Sequence, residues 1–189
     1  MTTRLVKRGT VFVEKVMKDV DCPFGIFLDL YVLDNVSDNP LLYQIQSWEA
    51  WFYSKLLILR SIPRPTLAQK GVKAELIWAV CRLAYQGMKL LRISPDGIRW
   101  RCEKACRRYR KQDTRRMAFL PDTSPYWNVV DRTKCYPLKK LEFEGRMLNF
   151  PANIDEMLRN MYGDYMELPP VEKRKTHYPY RIEFSEENR

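Results

Sequence analysis

Gly25-Ile26-Phe27-Leu28-Asp29-Leu30-Tyr31-Val32-Leu33 is a strong strand signal. Side chains alternate across a strand, so Ile26, Leu28, Leu30 and Val32 share one face, and Phe27, Asp29, Tyr31 and Leu33 share the other. Apolar residues on both faces predict a central strand in a sheet covered on both sides. Asp29 then stands in the middle of it. A carboxylate buried there without a partner is costly, so it needs a cation, a hydrogen-bond network or water. Asp34, at the end of the run, is a second acidic candidate. Such a pair can hold Mg²⁺ against the phosphates of a nucleotide, because that ion is commonly held by one or two carboxylates plus substrate oxygens. The alternative is that Asp29 orients a neighbouring loop.

Outward from this run, residues 10–16 (Thr-Val-Phe-Val-Glu-Lys-Val) are rich in β-branched side chains and predict a short strand. On the other side, Asn39 suits a helix cap and Pro40 the first helical position. Leu41, Leu42, Ile45, Trp48, Phe52, Leu56 and Leu59 then recur at helical spacing, until Pro63 and Pro65 end the helix. A second helix is expected over residues 69–91 and a third, basic one after the Ser94-Pro95-Asp96-Gly97 turn. Residues 120–137, with Pro121, Pro125, Pro137, Tyr126, Trp127 and Tyr136, read as an irregular segment packed by its aromatics. Residues 141–150 predict a hairpin around Glu144-Gly145. A short helix follows, with Asn153 and Glu156 forming a capping-box-like start and Gly163 the stop. Residues 172–189 form a basic, polar tail expected to be loosely held. The expected class is α+β, with a short mixed sheet and several helices in a single domain over residues 1–189.

The chain has 189 residues, of which 46% are hydrophobic and 13% aromatic, enough for a core and too many for a disordered chain. No apolar run approaches the roughly 18 residues of a membrane-spanning helix; Leu76-Ile77-Trp78-Ala79-Val80-Cys81 is broken by Arg82. The first residues, Met-Thr-Thr-Arg-Leu-Val-Lys-Arg, contain no apolar core of a secretory signal. Five cysteines, at 22, 81, 102, 106 and 135, form no disulfide framework, which points to a soluble protein of a reducing compartment. Phosphate-binding Gly-x-x-x-x-Gly-Lys-Ser/Thr and Gly-x-Gly-x-x-Gly loops are missing. The single histidine, His177, has no evident nucleophile beside it. Cys102 and Cys106 share a helix face, but no second Cys/His pair follows at zinc spacing, so they read as half-buried positions.

The chain carries 33 Lys+Arg against 23 Asp+Glu, a net charge of +10. Much of the excess falls in residues 99–116, with Arg107, Arg108, Arg110 and Lys111 at its centre and only Glu103 and Asp113 as acids. On a continuous helix these cations would circle most of the circumference. They form either a solvated face or a contact for phosphate, on a nucleotide or on lipid headgroups.

Two stretches resemble the LicD family. Phe143-Glu144-Gly145, Phe150-Pro151-Ala152-Asn153, Leu158 and Tyr162-Gly163-Asp164-Tyr165-Met166-Glu167-Leu168-Pro169-Pro170, followed by Lys173, Arg174 and His177, are similar to its C-terminal signature. Lys7-Arg8-Gly9-Thr10 leading into the block from Gly25 to Asp34 is similar to its Gly-Ile-Phe-hydrophobic-Asp block. The family includes bacterial phosphorylcholine transferases and, more distantly, fukutin-related protein. The resemblance implies a nucleotidyltransferase-like fold that transfers phosphocholine or a related phospho-alcohol. The donor would be CDP-linked, such as CDP-choline, and the acceptor an anionic surface glycan or glycolipid: lipopolysaccharide, teichoic acid or capsule. It implies a cytoplasmic protein with peripheral contact to the inner membrane face, and Mg²⁺ or another divalent cation as cofactor. Carried over, Asp29 matches the family's strand carboxylate, with Asp34 a weaker metal candidate. Tyr162, Asp164, Lys173, Arg174 and His177 either close over donor or acceptor or act as a structural clamp.

The family's Trp-Asp-Asp-Asp-hydrophobic-Asp motif does not occur in this sequence. The resemblance therefore implies the C-terminal portion of a transferase, an incomplete nucleotidyltransferase-like fold. From a different class, the competing reading is a non-catalytic basic module that binds nucleic acid or anionic lipid. Without the Asp-rich motif, most of the electrostatic stabilisation of phosphoryl transfer would be lost. The purified chain is accordingly expected to leave CDP-choline unconsumed, and turnover clearly above background would contradict that.

Overall fold

The structure, a computed structural model, describes residues 2–18, 24–62, 71–122, 129–171, 174 and 179–184. The class is α+β, as the sequence predicts. In chain order the elements are β1 (Thr3–Val6), β2 (Val11–Glu14), a 3₁₀ turn (Lys15–Met17), β3 (Phe27–Leu30) and β4 (Asp34–Asn35). There follow α1 (Pro40–Ser61), α2 (Val72–Leu90), α3 (Pro95–Cys106), β5 (Arg116–Ala118), β6 (Val129–Asp131) and α4 (Arg132–Cys135). The hairpin β7 (Lys139–Phe143) and β8 (Arg146–Phe150), then α5 (Ile154–Tyr162) and β9 (Pro179–Glu183), complete the order. The sequence reads as one domain; the chain gathers into two compact units. The first comprises Met1–Tyr31, Phe52–Cys102 and Lys175–Arg189, the second Val32–Trp51 and Glu103–Arg174. The expected mixed sheet is corrected: every ladder among the described residues is antiparallel, in four small separate sheets.

In the first unit, β1 pairs with β3 and sets Arg4 directly opposite Asp29. Residues 25–33 are not one central strand. β3 stops at Leu30 and has β1 as its neighbour, and Leu28 is 62% exposed. An apolar run with no clear alternation fits a half-exposed ribbon as readily as a covered strand. Gly25 is required by a close approach: a Cβ there would lie 2.7 Å from Val6 Cγ1 and 2.9 Å from the Thr10 carbonyl oxygen. Beside it, the Ile26 N–H donates to buried Thr10 Oγ1 at 3.0 Å. Part of the tail is ordered, since β9 pairs with β2 and brings Ile182 opposite Phe12. Leu57, Met88 and Ile98 form this unit's helical core, flanked by Tyr53, Leu56 and Leu59. α1 ends at Ser61 as expected, while Pro63, Pro65 and Gln69 lie outside the described residues, as do Pro125, Tyr126 and Trp127.

In the second unit, Asn39 caps α1: its Oδ1 accepts from the N–H groups of Leu41 (3.0 Å) and Leu42 (3.2 Å). One turn further on, Gln46 is fully buried. Its Nε2 donates to the carbonyls of Ala105 (3.2 Å) and Cys106 (3.0 Å), and its Oε1 accepts from the Ser37 N–H at 3.4 Å. The last carbonyls of a helix have no partner within it, and here a side chain from α1 serves them. α3 ends at Cys106, so the cationic helix expected to reach residue 116 is corrected: Arg107, Arg108, Arg110 and Lys111 lie in turns and Arg116 in a strand. β5 is central in the β4-β5-β6 sheet, with Arg116 opposite Asp131. Val36, Ala118, Leu120, Val130 and Cys135 are buried in the same unit.

The β7-β8 hairpin turns at Glu144 (φ 50°) and Gly145 (φ 71°), the two left-handed residues that a type I′ turn requires. α5 starts after Asn153 and stops at Gly163 (φ 72°), whose N–H donates to the Arg159 carbonyl. The capping box is not formed: the Asn153 side chain makes no capping bond, and Glu156 is drawn instead to Lys134, 2.8 Å from Nζ.

Gln46→Leu keeps the side-chain volume but removes all three of these hydrogen bonds. It should lower the unfolding free energy by about 2–4 kcal/mol in a urea titration. An unchanged midpoint would show that Gln46 does not tie these segments together.

Candidate functional site

The consecutive arginines at the start of β5, Arg115 just before it and Arg116 its first residue, take different roles. Arg116 turns inward: its Nη2 donates to the carbonyls of Ser37 (2.8 Å) and Asp38 (3.1 Å), and its guanidinium lies 4.7 Å over the Tyr43 ring. Arg115 turns outward. Its backbone N–H donates to both carboxylate oxygens of Asp38 (2.9 and 3.2 Å), and its guanidinium holds Asp131 through Nε (2.9 Å) and Nη2 (2.8 Å). Asp131 ends β6 and caps α4, accepting from the Thr133 N–H (3.0 Å) and hydroxyl (2.6 Å). The Thr133 hydroxyl first, then the Arg115 guanidinium, hold the Asp131 carboxyl down to about 2. The same pair raises Arg115.

These residues line a cleft of about 590 Å³. Asp38, Arg115, Arg116 and Asp131 form its polar wall with Val129 and Val130 beside them, and α5 contributes Glu156 and Asn160. Arg132, next to Asp131, pairs with Asp113, and the Cys135 Sγ donates to the Asp131 carbonyl at 3.3 Å. Burial pushes the Cys135 thiol up. Arg115 keeps 68% of its side chain exposed although Asp131 and Asp38 fix its position. A guanidinium held at one edge and open at the other is suited to bidentate capture of phosphate.

The sequence-predicted residues are distributed more widely. Asp29 belongs to the first unit, where its Oδ1 takes Arg4 Nε at 2.9 Å and the Thr2 hydroxyl at 3.1 Å. Asp34 belongs to the second, where burial pushes its carboxyl up against the pull of Arg107 and Arg110. The two carboxylates therefore belong to different units. No group of three or more His, Cys, Asp or Glu side chains placed for a metal is found among the described residues. Tyr162 is exposed, Asp164 accepts from the Met166 N–H at 3.3 Å, and Arg174 Nε donates to the Pro169 carbonyl at 2.8 Å. Lys173 and His177 lie outside the described residues. Arg107 pairs with Glu103 at 3.8 Å and Arg108 with Glu49, while Arg110 and Lys111 are exposed.

Sequence reading missed Asp38, Asp131 and Asn160 as site residues. Asp131-Arg132-Thr133 carried a usable signal, because an Asp two residues before a Thr is a common side-chain cap. Asn160 lies four residues after Glu156, on the same helix face. Comparison with known protein families, known proteins and solved structures finds no match for the chain.

An unfolded aspartate titrates near 3.8. With its folded value depressed, Asp131 contributes stability that is complete above that pH and is lost as pH falls toward 2. In a carboxyl NMR titration, Asp131 should show a midpoint of about 2. Thr133→Val should move the midpoint up toward the ordinary value. A parent midpoint already near 3.8 would mean the cap and ion pair do not persist in solution.

Proposed function

We propose that this chain is LicD-like and carries the donor site of a transferase. It would move phosphocholine or a related phospho-alcohol from a CDP-linked donor to an anionic surface glycan or glycolipid, on the cytoplasmic side of the membrane. One observation carries the reading: α5, whose Leu158 and Tyr162 belong to the stretch that resembles the family signature, lines with Glu156 and Asn160 the cleft that Arg115 and Arg116 line at the start of β5. The signature residues around it have local reasons for their identity. Glu144 and Gly145 make the turn of the hairpin, Gly163 ends the helix, and the Tyr165 hydroxyl returns to Asp155 at 2.6 Å. The cleft volume lies within the roughly 300–1,000 Å³ of small-molecule sites, and a CDP-linked donor is of that size class.

In this reading Arg115 meets the diphosphate, exchanging Asp131 for a phosphate oxygen, and Arg116 keeps the 37–38 backbone in place behind it. Asn160 offers an amide to the donor, and Val129 and Val130 supply an apolar wall. A divalent cation such as Mg²⁺ is implied by the family resemblance alone. The basic run gives the competing module less support, because Arg107, Arg108, Arg115 and Arg116 are paired with acids of the same unit.

Calorimetric titration with CDP-choline tests this. The chain should bind it in competition with CDP, and Arg115→Gln should weaken binding at least about tenfold by removing a charge-assisted contact. Asp131→Asn should tighten it, because the competing carboxylate charge is gone. Binding that ignores both substitutions, or no binding by a folded chain, would overturn the assignment.

A further inference from the structure

α2 is apolar on two opposite sides. At about 100° per residue, Ala74, Ile77, Cys81, Ala84 and Met88 fall on one side, which carries Met88 into the core of the first unit. Val72, Leu76, Val80, Leu83 and Leu90 fall on the other, and they are between 60% and 86% exposed. Over the 19 residues of the helix this makes a strip about 28 Å long. Contiguous exposed apolar surface on this scale marks an interaction site. No helix among the described residues is long and apolar enough to cross a membrane, so the strip is not part of a span.

Charge selects the occupant. The strip is bordered by Lys73 on one side and by Arg82 and Lys89 on the other, with Glu75 as the only acid of α2. Arg92, Arg99 and Arg101 follow with Trp100 among them, and Asp96 is the only acid in residues 91–102. All these cations are exposed, and Trp100 is too. A second copy of the chain would set two such cationic borders against each other, with Glu75 alone to neutralise them. An RNA would meet the cations but leave the leucines in water. A bilayer surface with anionic lipid satisfies both features, taking the apolar strip into the headgroup boundary and the cations at the phosphates.

We propose that α2 docks face-on to an anionic membrane surface, with Val72, Leu76, Val80, Leu83 and Leu90 inserted and Lys73, Arg82, Lys89 and Arg92 at the headgroups. The proposal stands on α2 and its neighbours in the first unit, independently of the donor cleft.

Flotation of the purified chain with vesicles tests it. The chain should float with phosphatidylcholine vesicles that contain phosphatidylglycerol, should bind pure phosphatidylcholine far more weakly, and should lose affinity as salt rises. The double variant Leu76→Glu/Leu83→Glu should bind at least about tenfold more weakly. Arg82→Gln/Lys89→Gln should bind roughly twenty-five-fold more weakly, about fivefold for each cation. Both variants should keep the parent's thermal unfolding midpoint, because the substituted side chains are exposed. Equal binding by the leucine variant, equal binding to both vesicle types, or RNA binding without flotation would overturn the proposal. So would a dimer in light scattering that the leucine substitutions disperse while the parent ignores vesicles.

Discussion

One buried amide holds the second unit in its arrangement. Gln46 has no exposure to water, and all three of its polar partners are backbone groups from elsewhere in the chain: Ala105, Cys106 and Ser37. Each such hydrogen bond contributes about 0.5–1.5 kcal/mol, so the one side chain ties α1 to both segments. The consequence is positional. The carbonyls of residues 105 and 106 mark where α3 gives way to turns, and the Ser37 N–H marks where the chain leaves β4 for the α1 cap. Both segments lead directly to the cleft, one through Thr114, Arg115 and Arg116, the other through Asp38.

From that constraint the two arginines acquire their division of labour. Arg116 spends its donors on the Ser37 and Asp38 carbonyls and covers Tyr43, so it acts as part of the wall. Arg115 is left on the surface of the same strand end, steered by two aspartates. The acid that holds its guanidinium is itself held by Thr133, which is why Asp131 remains charged far below the ordinary carboxylate range. Such a site is electrostatically set before any ligand arrives, and a phosphate has only to displace one carboxylate from one edge of a guanidinium.

Much of the local structure was legible from residue chemistry. Asn39-Pro40 announced the α1 start, Glu144-Gly145 the hairpin turn and Gly163 the α5 stop, because each depends on a backbone preference that acts over a few residues. What failed depended on tertiary competition. Residues 25–33 looked like a central strand because periodicity cannot tell a covered strand from a half-exposed ribbon, and Asp29 found its cation in Arg4 across that ribbon. The cationic run was read as helix past Cys106, where the chain passes into turns and the Gln46 amide takes the Ala105 and Cys106 carbonyls. Glu156 was assigned to a cap and instead pairs with Lys134. The site was legible only in part: Arg115 and Arg116 stood within the basic run, whereas Asp38 and Asp131 became meaningful once β4, β5 and β6 were side by side.

A titration of ¹⁵N-labelled chain with CDP-choline, followed by amide chemical shifts, tests the central claim most directly. A donor cleft in the second unit predicts saturable shifts at Arg115, Arg116, Asp131 and Asn160, with the β1-β3 ribbon around Asp29 unmoved. Shifts centred on Asp29 and Arg4, or no saturable shift anywhere in a folded chain, would contradict it.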